Sequence, residues 1–81
     1  MNLTEEEVEA RNSEFRIAQW ESDFACVCLY RGDWDYDDQG RGLMGAGSAL
    51  VVEVYDRADT SVWFEITTDQ AKALSELFSS S

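Results

Sequence analysis

The chain has 81 residues, with 17 acidic side chains against 6 basic ones, no histidine and a formal net charge of −11. Its apolar fraction of 44% is enough to fold, so the sequence describes one modest acidic domain and not a solvated acidic tail. Such a charge argues against direct contact with nucleic acid or an anionic membrane, and points to solubility or to a positively charged partner.

The absence of histidine, with a single lysine, removes Ser/His and Cys/His chemistry. The glycines do not match a phosphate-cradling loop. No catalytic residue, cofactor or metal site is therefore expected. No basic start followed by an apolar run is visible at the N-terminus, and the longest apolar runs fall far short of the roughly 20 residues that cross a bilayer. A cytosolic protein is the resulting expectation.

In chain order, Leu3-Thr4-Glu5-Glu6-Glu7-Val8 predicts a helix start. Thr4 and Glu7 have capping-box spacing, Leu3 and Val8 have staple spacing, and three glutamates sit in the first turn where the helix dipole favours them. This helix is expected to end near Asn12 or Ser13 and to be only weakly amphipathic. Glu5, Glu6, Glu7 and Glu9 form an acidic cluster on it, readable as dipole and solubility charge or as part of a binding surface.

Glu14 to Trp20 alternates, with Phe15 and Ile17 on one face and Arg16, Ala18 and Trp20 on the other, which predicts a strand. Glu21-Ser22-Asp23 reads as a hairpin turn. Phe24 to Tyr30 is apolar on both faces and predicts a central second strand. Within it Cys26 and Cys28 share a face and read as small buried hydrophobes, lacking the spacing of a redox pair or zinc site.

Arg31 to Gly47 holds all five glycines, four aspartates, Trp34 and Tyr36, and predicts a long flexible loop. If extended, Asp33, Asp35 and Asp37 project on one side, about 6.6 Å apart from roughly 3.3 Å per residue. Trp34 and Tyr36 project on the other. A carboxylate row of this spacing can imitate phosphates along a nucleic-acid strand, with the aromatics as anchors for a protein partner. Alternatively the two aromatics cap the edge of the core. Asp33, Asp35 and Asp37 also match the first positions of a calcium-binding EF-hand loop, but Asp38 stands where glycine is needed and Met44 where a bidentate glutamate is needed.

Ser48 to Tyr55 predicts a third strand, with Leu50, Val52 and Val54 on one face. A short connection over 56–59 leads to a fourth strand, Thr60 to Ile66, with Val62, Phe64 and Ile66 toward the core. Thr67 and Gln70 form a second capping box, and Ala71, Leu74, Leu77 and Phe78 make one apolar stripe. This last helix is expected to cover the Val62/Phe64/Ile66 row, with Ser79 to Ser81 as a frayed tail. Trp20, Tyr55 and Trp63 then fall on the strand faces opposite the cleanest apolar rows, either covered by the N-terminal helix or exposed as a dimer surface.

These elements make an α+β domain: a small antiparallel sheet of about four strands, a C-terminal helix packed on one face and a short N-terminal helix. A small, acidic, catalytically empty domain of this kind resembles the phage-encoded inhibitors of host defence, including anti-CRISPR proteins and DNA mimics. That resemblance rests on size and charge. It implies a cytoplasmic inhibitor that covers the basic, nucleic-acid-binding surface of a partner protein through Asp33, Trp34, Asp35, Tyr36, Asp37 and Asp38 together with Glu5 to Glu9. The rival expectation is an assembly module, a homodimer or subunit joined through Trp20, Tyr55 and Trp63.

Overall fold

A computed structural model describes residues 3–58 and 60–79. Helix α1 (Glu5–Phe15) is followed by strands β1 (Arg16–Glu21), β2 (Ala25–Tyr36), β3 (Gly42–Asp56) and β4 (Ser61–Ile66), and then by helix α2 (Thr68–Ser79). The four strands form one antiparallel sheet in the order β1-β2-β3-β4, so each pairs with its neighbour in sequence. This is the expected α+β class.

Both capping boxes form. The Thr4 amide donates to Glu7 at 3.0 Å and the Glu7 amide to the Thr4 hydroxyl at 3.1 Å. The Thr67 and Gln70 pair repeats the exchange at 2.9 and 3.1 Å. In each box a side chain satisfies amides that the first turn leaves without a helical partner.

The two helices lie on opposite sheet faces. On the α1 face a core gathers Cys26, Cys28, Tyr30, Met44, Val51 and Trp63, with Phe15 and Trp34 packed against it. On the α2 face Leu29, Leu50, Val52 and Ala71 form a second core, flanked by Ala18, Trp20, Ile66 and Leu74.

Four expectations are corrected. First, residues 31–47 are mostly not a loop. β2 runs on to Tyr36 and β3 starts at Gly42, so the pair forms a ribbon that outruns the six-residue β1 and β4. Glycine here serves close approach. Gly32 has φ +152°, a conformation side chains rarely adopt, where the β2–β3 register shifts between Arg31 and Asp33. A Cβ on Gly42 would collide with the Trp63 indole.

Second, α1 continues through Asn12 to Phe15, so Phe15 is helical and β1 begins at Arg16. A register shift between Arg16 and Ala18 puts Arg16 opposite Tyr30, on the other face from Ala18 and Trp20. Third, Phe24 is not in a strand. It sits in the β1–β2 turn, 82% exposed.

Fourth, the faces of β4 are weighted the other way. Trp63 is only 8% exposed, whereas Val62 and Phe64 are 57% and 43% exposed. From Ile66, α2 crosses to Trp20, which stacks on Phe78 with ring centroids 5.0 Å apart. This diagonal path covers the centre of the sheet and leaves Val62 and Phe64 uncovered. Trp63, on the opposite face, joins a stack with Tyr30 at 5.2 Å and Trp34 at 5.7 Å. The expected tail residues beyond Ser79 lie outside the described residues, as do Met1, Asn2 and Asp59.

Candidate interaction surface

Two polar side chains fasten α1 to the ribbon. Asn12 is the buried polar residue of the helix; its Nδ2 donates to the Gly42 carbonyl at 3.1 Å and its Oδ1 accepts from the Met44 amide at 2.8 Å. Since β4 pairs only with Leu50 to Tyr55, this stretch of β3 has no strand on that side among the described residues. One asparagine amide meets a carbonyl and the amide two residues on, as a neighbouring strand would. The second fastening is Arg41, whose Nη2 donates to the Leu3 carbonyl at 2.6 Å while its Nε pairs with Asp37 at 2.7 Å.

The consequence is that two acidic segments far apart in sequence become neighbours. The start of α1 abuts the 37–41 turn, and an open groove of about 600 Å³ between helix and sheet is lined by Glu5, Glu9, Arg16, Arg41, Glu53 and Trp63, among others. Glu5, Glu6, Glu7, Glu9 and Glu14 are all exposed on the helix, as are Asp33, Asp35 and Asp38 on the ribbon. Among the described residues only two ion pairs form, Arg16 with Glu9 and Arg41 with Asp37. Most of the carboxylates among the described residues therefore have no ion-pair partner.

The expected acids divide accordingly. Asp37 does not belong to a row with Asp33 and Asp35. The strand ends at Tyr36, and Asp37 closes the turn by accepting from the amides of Gln39 and Arg41 at 2.9 and 2.8 Å. Partial desolvation pushes its carboxyl up, but those two amides and the Arg41 guanidinium outweigh it and hold the group below its ordinary value. Glu7 is committed to its capping box and Glu9 to Arg16. Glu5, Glu6, Asp33 and Asp38 make no such commitment; Asp35 accepts only from the next amide in the chain.

The expected aromatics also divide. Trp34 is half-buried between Trp63 and Tyr36, so it belongs to the core edge, while Tyr36 meets it edge-on at 5.1 Å and stays exposed. Trp20, Tyr55 and Trp63 do not form an exposed set. Trp63 is buried, Trp20 is stacked under α2, and Tyr55 is half-buried beside the cysteines.

Sequence reasoning missed a polar chain in the floor of the groove. Glu9 accepts from Arg16 at 2.7 Å, Arg16 donates to the Tyr30 hydroxyl at 3.4 Å, and that hydroxyl donates to Glu53 at 2.9 Å. Burial pushes the Glu53 carboxyl up and the Glu9 charge adds to it, against the Tyr30 hydrogen bond and the Arg16 cation. Burial likewise pushes the Cys28 thiol up to about 12, with Cys26 adding to it, so this thiol stays protonated and unreactive. Asn12 carried no sequence signal as a fastener. Arg41, a lone cation four residues after Asp37 in an acidic stretch, signalled its ion pair with Asp37 but not its reach to Leu3.

Among the described residues no group of three or more His, Cys, Asp or Glu side chains could hold a metal ion. No helix among them is long and apolar enough to cross a membrane. The chain matches no protein-family model, and neither a curated protein nor a solved structure matches it. The fold and surface alone define what class of protein this is: an α+β domain with one strongly acidic helix-and-turn flank.

Proposed function

We propose that the protein binds the basic, nucleic-acid-binding surface of a partner protein and blocks it, as an acidic inhibitor of the kind phages direct at host defence. The observation that supports this reading is the fastening of α1 to the ribbon by Asn12 and Arg41. It brings the acidic start of α1 beside the acidic 37–41 turn, while Asp33 and Asp35 lie further along the same ribbon. Glu5 and Glu6 on the helix, with Asp33, Asp35 and Asp38 on the ribbon, supply the field, and Tyr36 is the exposed aromatic beside it. A rigid array of carboxylates can be matched by a surface built for phosphates.

Such a complex forms fast at low salt and weakens as ions screen the attraction over about 10 Å at 0.1 M ionic strength. The experiment is capture of nucleic-acid-binding proteins from a host lysate at low and high salt, followed by a competition assay with the captured partner and its nucleic acid. The expected result is displacement of nucleic acid by the wild-type protein and no displacement by Glu6→Lys/Asp38→Lys. A captured partner that binds protein and nucleic acid together contradicts the reading.

A further inference from the structure

The two sides of the sheet edge are not equally protected. β1 carries a register irregularity at Ile17 and the polar residues Arg16, Gln19 and Glu21. The unpaired start of β3 is closed by Asn12. β4 has neither device: it pairs with β3 without a break from Ser61 to Ile66, and among the described residues the order of the sheet leaves its outer side without a strand. It contains no proline or lysine, the residues that commonly blunt an open edge. Beside this open backbone lie Val62 and Phe64, and α2 adds Leu77, 66% exposed.

We propose that β4 is the dimer contact of this protein, pairing antiparallel with β4 of a second copy about a twofold axis at Trp63. The occupant follows from charge. A partner chosen for its basic surface has no reason to prefer a strand whose only ionisable side chain is Glu65. A second copy carrying −11 is repelled by α1 and the ribbon turn, but not here.

In the register centred on Trp63, Val62 of each copy faces Phe64 of the other, and Glu65 faces Ser61. Apolar thus meets apolar twice and no like charges are opposed. The result is an eight-stranded sheet with the acidic helix α1 of each copy on the face away from the Val62–Phe64 contacts. This replaces the assembly surface expected from Trp20, Tyr55 and Trp63, which are buried or half-buried in their own chain.

The test is sedimentation equilibrium of the full chain over a wide concentration range, at moderate salt to screen the net charge. The wild type is expected to reach twice the monomer mass, and Phe64→Lys to raise the dissociation constant roughly tenfold or more. Far-UV circular dichroism checks that this exposed substitution leaves the fold intact. Independently of that variant, Ser61→Cys and Glu65→Cys proteins are oxidised separately and as an equal mixture. Opposed positions in antiparallel strands lie within disulfide reach, so the mixture is expected to cross-link and the separate samples are not. A monomeric mass at every concentration, a dimer indifferent to Phe64→Lys, or cross-linking no greater in the mixture overturns the proposal.

Discussion

The two helices sit on opposite faces of one sheet and are held there by different means. α2 has the apolar stripe that sequence rules look for, yet it crosses the sheet on a diagonal and leaves Val62, Phe64 and Leu77 in solvent. α1 has almost no stripe, burying only Val8 and Asn12, yet it is tied to the ribbon by hydrogen bonds from Asn12 and Arg41. An amphipathic pattern therefore tells where a helix gets apolar contact. It does not tell how firmly its neighbours are fixed.

The comparison breaks most sharply at Asn12. Asn12→Ala leaves a buried carbonyl and a buried amide without their partner, which costs about 2–6 kcal/mol at about 1–3 per unsatisfied group. Urea denaturation is expected to show this as a lower midpoint. Phe78→Ala removes a far larger side chain from α2. Because its stack with Trp20 lies at a partly open helix end, the expected loss is smaller, about 1–2 kcal/mol. If Phe78→Ala proves the more damaging of the two, the contrast between the helices fails.

The smallest expected effect belongs to Glu53 and sharpens the picture of the groove. Burial holds its carboxyl above the ordinary value of 4.5, so the folded protein takes up that proton more readily than the unfolded chain. The penalty for burying the charge is absent below 4.5 and sets in as the pH rises through the raised pKa. Glu53→Gln keeps an acceptor for the Tyr30 hydroxyl and removes the charge. Thermal melts are expected to show a higher Tm than wild type at neutral pH and little difference in acid.

Much of the fold could be read from local signals. The capping boxes at Thr4/Glu7 and Thr67/Gln70, the alternation in 48–55 and the stripe of α2 each reflect chemistry confined to a few neighbouring residues. What could not be read depends on distant residues. The glycines at 32 and 42 look like flexibility in isolation, and become close-approach positions only when Met44, Phe15 and Trp63 are beside them. Val62 and Phe64 alternate like a core row, but whether such a row is covered depends on the path of α2. The acidic flank was legible as two patches. Their union depends on Arg41 reaching Leu3 across the fold, which no spacing announces.

The division of labour between the faces is open to one direct measurement. Two charge-reversed proteins of equal net charge are compared for salt-sensitive capture of a basic nucleic-acid-binding partner: Glu6→Lys/Asp38→Lys on the acidic flank, and Asp23→Lys/Glu76→Lys away from it. If the flank itself recognises the partner, the first variant loses binding and the second keeps it. Equal loss by both would mean that bulk charge alone is responsible, and would contradict the account.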